Sequence, residues 1–134
     1  MSREELCTEA EITTLVHQFY ARVREDALIG PVFDAHVHDW DSHLATMVRF
    51  WSSVLRGSGT YRGTPMPKHV ALPGLNPDMF QRWLALFHET TETLPNRPFA
   101  ESAETAAQRI ARSLWYGYQM SRDPERMPSE LFNG

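Results

Sequence analysis

Four stretches of this chain space their apolar side chains at three- and four-residue steps, and no stretch sustains a period of two. In the first, Ile12, Leu15, Val16, Phe19, Tyr20 and Val23 fall on one face of a helix from about Thr8 to Ala27. In the second, Trp40, Leu44, Met47, Val48, Trp51 and Leu55 do the same, with Phe50 and Val54 widening the stripe. The third carries Phe80, Trp83, Leu84, Phe87 and Leu94. The fourth carries Ala103, Ala106, Ala107, Ile110, Leu114, Trp115 and Tyr118, over about Ala100 to Met120. An amphipathic helix must bury its stripe against another element, and here only helices are on offer. The expected class is all-α, with one domain over 1–120 and a polar, mobile tail over 121–134.

The helix ends are written in turn and cap residues. Thr8 with Glu11 three residues on forms a capping box. Gly30-Pro31 should end the first helix and leave Val32-Phe33 as an apolar pair in a turn. Asp39 or Asp41 should cap the second helix. Gly57-Ser58-Gly59 breaks that helix and opens a loop reaching Pro67. Asn76-Pro77-Asp78 supplies a cap, a proline at the first helical position and an acid in the first turn, and Pro95 stops that helix.

Between Pro67 and Pro73 stands a histidine, His69. Each proline lacks a backbone N–H and restricts its predecessor, so there is room for about one helical turn there. His69 is either a solvated loop residue or an imidazole presented on a stiff support. A second histidine-rich stretch holds His36, His38, Asp39, Asp41 and His43. Its His-x-His start resembles a metallo-β-lactamase ligand motif, but Trp40 and Asp41 occupy the next ligand slots, so it reads as a solvated helix entrance. Three polar-tipped side chains lie on or beside apolar faces of different helices: Tyr20, His43 and Trp83. A buried polar tip needs a partner. The three are either structural or converge on one small polar object in a dry pocket.

The totals narrow the classes. A 134-residue chain with 42% hydrophobic and 22% charged residues is globular. A net charge of −4 disfavours a nucleic-acid binder. The single cysteine, Cys7, excludes an internal disulfide and a cysteine-built metal site, and it reads as a bystander. With no membrane-span-length apolar run and no signal-peptide pattern, the expectation is a cytoplasmic protein with no membrane partner.

Several blocks together resemble a truncated haemoglobin, in particular the group III (P-type) branch. They are Phe19-Tyr20 with Val23-Arg24, Gly30-Pro31-Val32-Phe33, Trp40-Asp41-Ser42-His43 with Phe50-Trp51, Lys68-His69, and Phe80 to Phe87 with Trp83 inside. The match spans about residues 11 to 120. The resemblance implies a two-over-two helical sandwich with a short proximal helix, holding haem b. By position, His69 matches the proximal iron ligand, and Tyr20, His43 and Trp83 match the distal residues that stabilise a bound ligand. Phe19, Phe33, Met47, Phe50, Trp51, Phe80 and Phe87 are implied as pocket packing, and Tyr61 and Lys68 as propionate contacts.

Haem iron takes a neutral imidazole as axial ligand, which suits His69. The leading function is reversible binding of oxygen and other diatomics (CO, NO) at ferrous iron. The competing classes are nitric-oxide dioxygenation or peroxidase-like turnover, needing an external reductase as partner, and a six-coordinate electron-transfer or sensor protein with His43 on the iron. A haem-free helical regulatory domain is the fourth.

Overall fold

The computed structural model describes residues 6–57, 74–122, 125 and 127. Among them are five helices and no strand: α1 (Glu9–Glu25), α2 (Gly30–His36), α3 (Trp40–Arg56), α4 (Pro77–Thr91) and α5 (Arg97–Arg122). Two pairs, α1 with α3 and α4 with α5, form the sandwich; α1 also packs on α2 and α4, and α3 touches α5. The expected all-α, two-over-two architecture holds. The stretch expected to form the short proximal helix, and the expected site residues His69, Tyr61 and Lys68, lie outside the described residues.

The caps are where the sequence puts them. The Thr8 hydroxyl accepts from Glu11 N–H, and Glu11 accepts from Thr8 N–H. Asp39, rather than Asp41, caps α3 by accepting from Ser42 N–H at 3.2 Å. Asn76 accepts from Met79 N–H at 3.1 Å, with Pro77 in the first turn. Gly57 ends α3 in the left-handed conformation, φ 68°, which a residue without Cβ adopts at little cost.

Three expectations need correction. Gly30-Pro31 opens α2 instead of ending α1, so Val32 and Phe33 are helical. A proline is compatible with a first turn, where its missing N–H has no helical acceptor. The glycine is required for a different reason: a Cβ there would lie 2.9 Å from the Val23 carbonyl oxygen. The α4 helix ends at Thr91, before Pro95, so Leu94 is buried from a turn and not from a helical face. The last helix also starts earlier, at Arg97, where the Asn96 side chain accepts from Phe99 N–H.

Helix α1 is the hub. Ile12, Leu15 and Val23 have no accessible surface, and Val16 and Phe19 have almost none. Its two ends are tied by charge. At the start, the Ser52 hydroxyl and the Arg56 guanidinium donate to Glu9 and hold its carboxyl below the ordinary range, linking α1 to α3. Nearby, burial and the Glu11 charge push the Cys7 thiol up to about 11, outweighing Arg56, so it carries no reactive thiolate at neutral pH. At the other end, Asp26 closes α1 and is itself buried. Its carboxylate accepts from the N–H groups of Leu28 and Ile29, both at 3.0 Å, and from Arg82 of α4.

Burial alone would raise the Asp26 pKa; the Ile29 N–H, the Arg82 guanidinium and the Leu28 N–H outweigh it and hold the carboxyl below the ordinary range. The folded chain therefore keeps Asp26 ionised to a lower pH than the unfolded chain does. Its contribution is present above about pH 4 and is lost as the pH falls through the folded-state value. Asp26→Asn should lower unfolding stability by about 1–3 kcal/mol at neutral pH. In urea titrations the gap between variant and parent should close as the pH drops below about 4.

Candidate functional site

Where α1 meets α3 and α4, aromatic rings form a continuous cluster. Phe19 is its centre, meeting Tyr20, Trp83 and Phe87 edge-on with centroids 4.9, 5.2 and 5.1 Å away. Trp83 stacks on Phe87, and Phe87 stacks on Trp51, which meets Phe50 edge-on. The i, i+1 placement of Phe19 and Tyr20 gives the two rings different neighbours. Phe19 faces α4, and Tyr20 faces α2 and α3.

Tyr20 is only 5% exposed. Its ring meets Phe33 of α2 at 5.8 Å, and Trp40 and His43 of α3 at 6.0 and 5.1 Å. Among the described residues, no group exchanges a hydrogen bond with the Tyr20 hydroxyl. Burial pushes its pKa far up, so the proton stays on the oxygen and the group is available as a donor. The indole N–H of half-buried Trp83 likewise has no acceptor among the described residues, and an indole N–H can only donate.

Of the three polar-tipped side chains singled out in the sequence, Tyr20 and His43 are in ring contact. Trp83 is joined to them through Phe19. Met47 and Phe50 pack, half-buried, against the core, while Phe87 and Trp51 are fully inside it. Phe80 stands apart: it packs against Trp115 in a second cluster with Leu114 and Tyr118. There Tyr118 accepts from Leu75 N–H at 3.1 Å.

One residue of this cage was missed as a site residue. Trp40 touches both Tyr20 and His43, at centroid distances of 6.0 and 5.5 Å, and the Arg24 guanidinium lies 4.5 Å from its ring centre. The signal was present in the spacing. Trp40 precedes His43 by three residues and Arg24 follows Tyr20 by four, so each pair shares a helix face.

Known proteins show the same arrangement of chain. A family model described as bacterial-like globin matches residues 4–114. A group 3 truncated haemoglobin of Campylobacter jejuni is 33% identical over 121 residues, covering 85% of this chain and 95% of that protein. The chain belongs to the group III truncated haemoglobins. This chain is also similar to a crystal structure of a group III truncated haemoglobin from Campylobacter jejuni, with a TM-score of 0.69, 29% identity, and coverage of 81% of this chain and 92% of that one.

A truncated haemoglobin is a haem-binding globin, and the residues present fit that cofactor. Leu44, Met47, Val48, Trp83 and Leu84 pack on the core yet stay only partly covered, which suits a flat apolar group. The two available donors, a phenol and an indole, suit a small polar ligand carried by it. No helix among the described residues is long and apolar enough to cross a membrane.

Because Phe19 is fully buried and orients both donors, Phe19→Ala should cost about 3–5 kcal/mol in chemical denaturation. Phe50→Ala, at a half-buried position, should cost less.

Proposed function

We propose that this truncated haemoglobin holds haem b through the His69 imidazole and binds a diatomic gas, dioxygen first among them, on the side facing Tyr20. When bound, haem would supply an iron that binds a diatomic molecule and makes it a better hydrogen-bond acceptor. The observation that carries this reading is Tyr20: a nearly buried phenol ringed by Phe19, Phe33, Trp40 and His43, its proton held on by burial and its hydroxyl in no hydrogen bond among the described residues. Such a donor gains about 0.5–1.5 kcal/mol from an acceptor brought to it.

The chain's own residues then divide the work. His69 supplies the neutral imidazole; its proline-bounded setting limits the turns the backbone can take. Tyr20 donates from its Oη, and Trp83 donates from Nε1. Phe19 sits between them and fixes the direction of both rings. His43 lies against Tyr20 and adds a third polar edge. Phe33 and Trp40 shield the Tyr20 ring from water, so hydrogen bonds made in the pocket are not traded for bonds to solvent. Tyr61 and Lys68 are assigned to the haem propionates, an acid–base pairing in the case of Lys68.

Charge-assisted bonds of this kind contribute about 1.5–3 kcal/mol each. At about 1.4 kcal/mol per decade, losing one speeds release by roughly 10- to 100-fold. Tyr20→Phe should therefore raise the oxygen dissociation rate by about that factor in stopped-flow measurements, and Trp83→Phe should move it the same way. Unchanged rates in both variants would overturn the reading.

A further inference from the structure

At the far end of α3 from Trp40 and His43, an open cleft of about 550 Å³ runs along the first half of α5. Leu6 and Val54 line its apolar side. Its α5 side is two neighbouring rows of side chains at four-residue steps. Ser102 and Ala106 make a low row, half-buried and buried. Glu101, Thr105 and Arg109 make a taller row beside it, all exposed. Rows at this spacing are the ridges by which helices pack into one another's grooves. The low row leaves a groove between the tall row and Val54, and no element among the described residues fills it.

The tall row is charged oppositely at its two ends. Glu101 and Arg109 each stand four residues from Thr105, roughly 6 Å along the helix axis. Neither side chain has an ion pair among the described residues, and the reasons are local. Arg97, one turn before Glu101, donates instead to the Thr91 and Leu94 carbonyls at 2.9 and 3.2 Å. Thr105, Ala106, Arg112 and Ser113, three and four positions from Arg109, include no acid. This face therefore presents a groove, a ridge, and two unmatched charges equally spaced about Thr105.

We propose that this face is the interface of a homodimer, in which the α5 helices of two copies cross antiparallel about a two-fold axis at Thr105. That rotation brings Glu101 onto the partner's Arg109 and Arg109 onto the partner's Glu101, so the charge pattern is its own complement. The tall row of each copy seats in the groove of the other, in the packing class where four-residue ridges interdigitate. A second copy meets the ridge, the groove and both charges at once. Leu6, Val54 and Ala106 supply apolar contact, and the two ion pairs set register and orientation. The dimer is independent of the haem reading, because the cleft shares no residue with the Tyr20 cage.

The experiment is sedimentation velocity on the full-length chain over a concentration series at low salt. The parent should pass from the mass of one chain to the mass of two. Glu101→Arg sets cation against cation at both ends of the interface, and Arg109→Glu sets acid against acid. Each should raise the dimer dissociation constant by at least about tenfold. An equimolar mixture of the two single variants should dimerise like the parent, because in the mixed pair every cation again faces an acid. The double variant Glu101→Arg/Arg109→Glu should do the same. Recovery on mixing also shows that the single variants are folded. A parent that stays monomeric throughout would overturn the proposal, whatever other molecule the cleft then binds. Single variants that dimerise as tightly as the parent, or a mixture that does not recover, would overturn it equally. Haem uptake and gas release bear on the Tyr20 reading alone, so the two can fail separately.

Discussion

The site depends on the packing of Phe19. This ring has almost no accessible surface and meets three aromatic neighbours edge-on within 5.2 Å. Edge-to-face pairs contribute about 0.5–1.5 kcal/mol each beyond the area they bury, and they fix angles as well as distances. Phe19 thus converts ordinary core packing into orientation. It sends the Tyr20 phenol towards α2 and α3 and keeps the Trp83 indole stacked on Phe87. The two donors are left with no acceptor among the described residues because the rings that hold them are apolar.

The same helix links this arrangement to global stability. Helix α1 is anchored at one end by Glu9 to Ser52 and Arg56 of α3, and at the other by Asp26 to Arg82 of α4. Arg82 is adjacent to Trp83, so the ion pair that closes α1 also positions the turn of α4 that carries the indole. The Gly30 backbone lies so close to the end of α1 that no side chain fits between them, and this brings Phe33 against Tyr20. Stability and the orientation of the Tyr20 ring are therefore not separable in this fold. Residues that seal the α1–α2 corner also pack against that ring.

Much of this was legible in the residues. Apolar periodicity gave four of the five helices among the described residues, because burial of a stripe dominates over every weaker preference. The caps were legible because Thr8, Asp39 and Asn76 satisfy backbone N–H groups through local bonds that need no tertiary context. Helix α2 was not legible. Seven residues make too short a window for a period, and Gly-Pro signals a stop as readily as a start until the neighbouring backbone is known. Leu94 fits a helical spacing by coincidence, since a buried turn residue carries the same apolar signature. Tyr20, His43 and Trp83 were singled out as polar tips, but their pairing was a tertiary matter: Phe19 separates Trp83 from the other two. Trp40 escaped because a tryptophan on an apolar stripe reads as core, and only the Arg24 stacking marks it as something more.

The central claim is that a haem is held from the His69 side, opposite the Tyr20 cage. The ferrous absorption spectrum of the purified protein and of its His69→Ala variant tests it most directly. The account predicts an intense haem band near about 400 nm in the parent, with imidazole ligation. In the variant it predicts sharply weakened haem retention, restored in part by added imidazole. A variant that kept the parent's ferrous spectrum and its haem content would contradict the account.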